Sequence, residues 1–197
     1  MSQEFAAQEA GLQPEEPKKP GLLRSIVEFV VIVAVAIAMA WGLTTYVVTP
    51  YEIPSGSMLE TIQLGDRVLS EKVTYHTRDP QYGDIVTFID PEDSSRTLIK
   101  RVIATAGQVV DLKDGVVYID GEPLAESSYT LGKPSYELTG PANISYPYTV
   151  PEGYIWCMGD NRTDSSDSRY FGAVPVSNVT GRAFFTYWPL EDFGPLE

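Results

Sequence analysis

At 197 residues, with 43% hydrophobic and 11% aromatic side chains, the chain has apolar material for one sizeable core and little beyond it. A formal net charge of −13 opposes polyphosphate backbones, so nucleic acid is not an expected partner. Cys157 is the single cysteine, which excludes an intrachain disulfide and any Cys-x-x-Cys metal knuckle.

Residues 1–20, MSQEFAAQEAGLQPEEPKKP, are polar and proline-containing with no apolar period, and predict a disordered tail. A transmembrane anchor is predicted over 22–48. Its apolar run, IVEFVVIVAVAIAMAWGLTTYVV (26–48), would be roughly 35 Å long as a helix, enough to cross the hydrocarbon of a bilayer. Glu28 falls in the first turn of that run, and Trp41 and Tyr46 lie near its far end, where amphipathic rings settle at headgroup depth. A cleaved signal peptide would have a shorter apolar region, and no good small-x-small site follows residue 48. Lys18, Lys19 and Arg24 precede the span, whereas the first basic residue after it is Arg67. The positive-inside bias then keeps the N-terminus in the cytoplasm of a single-pass plasma-membrane protein, with residues 50–197 outside.

Past Pro50 the pattern changes to short β-rich runs broken by Gly, Pro and Asp: RVLSEKV (67–73), DIVTFI (84–89), TLIKRVIA (97–104), GQVVDL (107–112), VVYID (116–120), YIWCM (154–158) and AFFTYW (183–188). Asp114-Gly115 between two of them is a hairpin signal. The expected fold is mainly β, an antiparallel sheet domain over 50–197 behind the single N-terminal helix. Residues 125–150, rich in Ser, Tyr, Pro and Gly, read as an extended insertion.

PSGSMLE (54–60) follows the span closely. Taken alone, Ser55-Gly56-Ser57 reads as a turn stiffened by Pro54. Were Ser57 a nucleophile, it would need a base. The only histidine, His76, sits in polar TYHTRDP, where a solvated imidazole is the ordinary state. An S-x-x-K pairing fails because the third residue after Ser57 is Glu60. Of the six lysines, Lys18 and Lys19 lie across the membrane, and Lys113 and Lys133 stand in turn-like contexts beside Asp114 and Gly132. Lys100 differs. Strand alternation puts it on one face with Leu98 and Val102, and Ile99, Arg101 and Ile103 on the other. Moving a lysine from about 10.4 to about 8 requires roughly 3 kcal/mol of differential solvation, which partial burial supplies. The neutral amine so made could accept a hydroxyl proton; a lysine snorkelling to the strand's edge is the other reading.

Four stretches occur in order behind the span: IPSGSM (53–58), GDRVLSEK (65–72), KRVIATAG (100–107) and GDNRTDSSDSRYFGAVP (159–175). Together they resemble type I signal peptidase, a membrane-bound serine protease with a Ser/Lys dyad. The resemblance covers most of the outer domain, and the last block is its most specific part. By position it implies Ser57 as nucleophile, Lys100 as general base, Ser165 as the hydroxyl orienting the lysine, and Ser55 with the Ser57 N–H as the oxyanion hole. It further implies Gly159, Asp160, Asp167 and Arg169 as structural support, with Asp167 and Arg169 an ion pair. Tyr51, Ile53, Met58, Ile62, Leu98 and Ile99 match or flank the family's pocket-lining positions.

Two departures stand out: Glu60 occupies a position where the family commonly has proline, and Ala104-Thr105-Ala106-Gly107 replaces a Gly-Leu-Pro-Gly-like turn. Asp160, Arg162 and Asp164 break the oxygen spacing of a calcium loop, so no metal and no cofactor are expected. Nine residues separate Val48 from Ser57, which keeps the nucleophile within about 30 Å of the membrane surface. The resemblance implies substrates held there too: preproteins whose signal peptides are in the bilayer, cut after small-x-small motifs. Two rivals are a tethered β-module for binding, which would not need Ser57, Lys100 and Ser165 together, and a self-cleaving repressor-type protease, which would carry a DNA-binding segment instead of a span.

Overall fold

The computed structural model describes residues 21–196, so the tail expected over 1–20 lies outside the described residues. Two compact units divide between Trp41 and Gly42. Helix α1 (Leu22–Tyr46) has 25 residues and no buried residue; by length and composition it can cross a membrane. It begins four residues before the apolar run, so Glu28 lies beyond its first turn, where Arg24 pairs with it at 2.8 Å. It ends at Tyr46 rather than Val48, because Val48 is already paired with Glu71 in a sheet.

The elements that follow are β1 (Val48–Glu52), β2 (Arg67–Glu71), β3 (Ile85–Ile89), β4 (Thr97–Thr105), β5 (Val109–Lys113), β6 (Val116–Ile119) and β7 (Glu122–Pro123). A short helix, α2 (Ser127–Thr130), leads to β8 (Tyr148–Thr149) and β9 (Tyr154–Met158), and a second, α3 (Ser168–Phe171), to β10 (Val174–Pro175), β11 (Val179–Trp188) and β12 (Gly194–Pro195). The large sheet has the order β1-β2-β11-β3-β4-β9-β10, with β12 on β11; a second sheet runs β7-β6-β5-β8. The pairings are antiparallel.

β3, β4 and β9 sit inside the large sheet, and their residues are buried in runs rather than in alternation, since both faces are covered. One face of β4 sends Leu98 and Val102 to a cluster with Val86, Phe88 and Cys157. The other sends Ile99 to Ile53, Met58 and Ile62, and Ile103 to Val110, Val117 and Trp156. The β5–β6 hairpin turns at Asp114 (φ 52°) and Gly115 (φ 80°), the left-handed pair that a type I′ turn requires. Segment 125–150 holds α2 and β8; it is tied back by the Ser135 N–H donating to Gly115 O at 2.7 Å and by β8 pairing with β5.

Candidate active site

Ser57 lies in the turn that leaves β1. The residues around it anchor that turn: Ile53, Met58 and Ile62 are buried together, and the Ile62 N–H donates to Met58 O at 2.9 Å. Lys100 faces it from the middle of β4, opposite Val86 on β3. Although 43 residues apart in sequence, the two side chains meet: Lys100 Nζ donates to Ser57 Oγ at 2.7 Å and to Ile99 O at 2.9 Å. Lys100 is 3% exposed and Ser57 9%. Burial pushes the Lys100 amine down to about 8, against the opposing pull of Asp167, Cys157, Asp160 and Asp90. A neutral amine in contact with a hydroxyl can take its proton, and the ammonium that results can return it.

The 159–169 loop closes over this pair from behind. A Cβ on Gly159 would collide with Ser57 O and Ser165 Oγ, so no larger residue fits there. The Gly159 N–H donates to Asp167 Oδ2 at 3.0 Å, and Arg169 donates to both oxygens of the same carboxylate, Nε at 2.9 Å and Nη2 at 2.8 Å. Burial alone would raise the Asp167 carboxyl, but Arg169 and the Gly159 amide hold it below its ordinary range. Asp160 is clasped likewise: Arg101 donates Nε at 2.9 Å and Nη2 at 2.7 Å, and Thr61 Oγ1 donates as well. Ser165 Oγ is buried beside Gly159, where it helps to hold the Asp167 carboxyl down, and it makes no hydrogen bond to Lys100.

A cleft of about 340 Å³ opens on the pair, lined by Ile53, Ser55, Arg96, Leu98 and Ile99 together with Ser57 and Lys100. Of the six residues expected at a substrate pocket, Ile53, Leu98 and Ile99 therefore line it. Met58 and Ile62 are fully buried in the core beneath, and Tyr51 packs against that core from edge strand β1. A larger cleft of about 420 Å³, around Tyr82, Gln108 and Tyr154, is lined by none of the expected site residues. His76 is exposed on the β2–β3 connection and does not line the serine's cleft.

Sequence reasoning missed several residues of this neighbourhood. Arg101 lies on the face of β4 opposite Lys100, as alternation requires, yet its guanidinium is 3% exposed and stacks 4.2 Å over the Tyr129 ring. Arg162, fully buried, donates to Glu126 at 2.6 Å and to Ser135 Oγ at 2.8 Å, so the 125–150 segment is tied to the loop behind the serine. The signal was present: arginines inside otherwise apolar or acidic motifs need buried carboxylates. Among the described residues no group of three or more His, Cys, Asp or Glu side chains converges, and Asp160 and Asp167 are each taken up by an arginine.

The sequence model of the family described as signal peptidase, peptidase S26, matches residues 26–188. The probable signal peptidase I-1 of Synechocystis sp. is 42% identical over 184 residues, spanning 90% of both chains. The signal peptidase I of Leptolyngbya laminosa is 33% identical over 205 residues, covering 100% of this chain and 97% of that protein. A crystal structure of a signal peptidase I from Enterococcus faecalis V583 is 32% identical, with a TM-score of 0.43, and covers 53% of this chain and 97% of that one. The chain belongs to the signal peptidase family, peptidase S26.

Proposed function

We propose that this peptidase removes signal peptides from exported preproteins as a serine endopeptidase, with Ser57 as nucleophile and Lys100 as general base. The observation that carries the proposal is the 2.7 Å contact between a hydroxyl and a buried amine whose pKa is lowered to about 8. In the first step neutral Lys100 takes the Ser57 proton as Oγ adds to the scissile carbonyl carbon, and the carbonyl oxygen becomes an oxyanion held by the Ser57 N–H and the Ser55 hydroxyl. Collapse expels the amine of the mature chain, which receives the proton from the Lys100 ammonium. Water, deprotonated by Lys100, then adds to the acyl carbon, and collapse breaks the ester to release the signal peptide as the Lys100 ammonium returns the proton to Ser57 Oγ. Asp167, Arg169, Asp160 and Gly159 keep the loop behind the serine in place. Ser165 is assigned the orientation of Lys100; its hydroxyl, buried against Gly159 on the side that also meets Ser57 O, supports a place beside the reacting groups.

The cleft's small apolar walls from Ile53, Leu98 and Ile99 suit alanine-sized side chains before the cut, which supports the small-x-small preference. Helix α1 serves as the anchor of a single-pass plasma-membrane protein, with the N-terminus cytoplasmic and the β-rich domain extracytoplasmic, where preproteins arrive still inserted in lipid. Processing of a purified preprotein, with N-terminal sequencing of the product, tests the proposal. Cleavage after a small-x-small motif is expected; an intact preprotein, or a cut elsewhere that persists in Ser57→Ala, would overturn it.

A further inference from the structure

Asn161 stands between the turn that carries Ser57 and the 125–150 segment, and it is 6% exposed. Its backbone N–H donates to Ser57 O at 3.1 Å, and its Nδ2 donates to Gly56 O at 2.8 Å. Its Oδ1 accepts from Lys133 Nζ at 3.0 Å. An ammonium only donates, so Lys133 dictates which end of the amide is oxygen and leaves Nδ2 to face Gly56.

Gly56 O and the Ser57 N–H belong to one peptide unit. That unit is planar and trans, so its C=O and N–H point in opposite directions. Drawing Gly56 O toward Asn161 therefore turns the Ser57 N–H away from Asn161, and among the described residues that N–H donates to no protein group. The bond from Asn161 N to Ser57 O fixes the next peptide unit, so the Ser57 backbone is held on both sides of its Cα. Leu59 N also donates to Gly56 O, at 3.2 Å, but from within the same turn, which cannot fix the turn against the rest of the fold.

We propose that Asn161, oriented by Lys133, is the positioning residue of the oxyanion hole, aiming the Ser57 N–H at the oxygen of the scissile carbonyl. This rests on the reading of Ser57 as nucleophile and its N–H as donor. Glu60, where the family commonly has proline, acquires a part in it: its carboxylate lies 3.8 Å from Lys133 Nζ and draws that ammonium across from the 125–150 segment to the catalytic turn.

Steady-state processing of a preprotein by the full-length enzyme is the test. Asn161→Ala should lower kcat about 10- to 100-fold with KM within about twofold, because an aimed donor acts on the transition state. The midpoint of its kcat/KM pH profile should coincide with that of the parent enzyme, since Lys100 is untouched. A peptide aldehyde, whose adduct with the serine places an oxygen at the hole, should lose affinity by a similar factor. Lys133→Met, at a side chain 29% exposed and so little threat to folding, should lower kcat about threefold to tenfold, and Lys133→Arg should restore most of it. The role is overturned if Asn161→Ala keeps kcat within about twofold of the parent, or if the loss falls on KM alone or moves the pH midpoint; orientation by Lys133 is overturned if Lys133→Met keeps kcat within about twofold. Ser57→Ala runs in parallel. If it still processes, the nucleophile reading fails; if it is inactive while Asn161→Ala is unimpaired, only the positioning role is lost.

Discussion

Around Val110, Val117, Val150 and Trp156, where strands of both sheets contribute, the interior is hydrocarbon, and Tyr146 and Tyr148 enter as rings packed against Trp156. Around Ser57 the same degree of burial encloses Lys100, Arg101, Asp160, Arg162, Asp167 and Arg169. Apolar packing is non-directional and tolerates exchange of similar volumes, whereas a bidentate ion pair fixes two side chains in distance and angle. Buried ion pairs add little net stability over an apolar replacement of the same size. Their concentration around one hydroxyl therefore points to geometry as what they maintain, and the hydrocarbon region supplies the stability that makes room for them.

The strongest challenge to this contrast comes at the proposed pair, Ser57 and Lys100. Ser57→Ala and Lys100→Met should each lower preprotein processing by at least about 10³-fold. Their circular dichroism spectra should stay unchanged, and the lysine variant should be at least as stable at neutral pH because a desolvated amine is removed. Normal turnover by Lys100→Met would take the lysine out of the reaction.

Next comes one half of an ion pair. Asp160→Asn leaves the Arg101 guanidinium buried without its counter-charge, and urea denaturation should show a loss of about 3–5 kcal/mol. A loss below about 1 kcal/mol would mean the pair is dispensable and the contrast overdrawn.

On the hydrocarbon side, Leu112→Ala should cost about 2 kcal/mol of stability while leaving kcat/KM within about twofold. Activity falling as far as in the ion-pair variant would show that the two regions are not separable.

The pH dependence sharpens the comparison further. With Lys100 as the proposed base, kcat/KM should rise with pH, half-maximal at about 8 and falling about tenfold per unit well below it. Stability should follow the same sign. Between about 8 and 10.5 the unfolded chain binds a proton that the native lysine does not, so unfolding free energy rises with pH across that window and the gain is lost as pH falls through about 8. Lys100→Met should abolish this contribution. The smallest effect belongs to His76→Ala, expected within about twofold of the parent in kcat/KM, because the ring is exposed and does not line the cleft.

Much of the scaffold was legible residue by residue. The run YIWCM is β9 to the residue, TLIKRVIA is β4 less one residue, and Asp114-Gly115 is the turn it spelled. The strands missed were β1, which is masked by the end of the apolar run, and the two-residue strands β7, β8, β10 and β12, which have no period to read. Lys100 could be singled out by its apolar face-mates, and Gly159, Asp167 and Arg169 by their motif. The clasp of Arg101 on Asp160 was not legible, because the two residues lie 59 positions apart and meet only where β4 packs against the 159–169 loop.

The sequence by itself determined what depends on neighbours along the chain: an uncharged span long enough for a bilayer, alternation that puts Lys100 with Leu98 and Val102, and a turn at Ser55-Gly56-Ser57. Only the tertiary structure decided what depends on neighbours across it. That Lys100 meets Ser57 over 43 positions, that Met58 and Ile62 sink into the core while Ile53, Leu98 and Ile99 stay at the cleft, and that Lys133 reaches Asn161 are consequences of strand order and closure. Local rules carry the φ/ψ preference and hydrophobic period of a segment; the desolvation that lowers an amine's pKa comes from atoms that only the folded chain brings together.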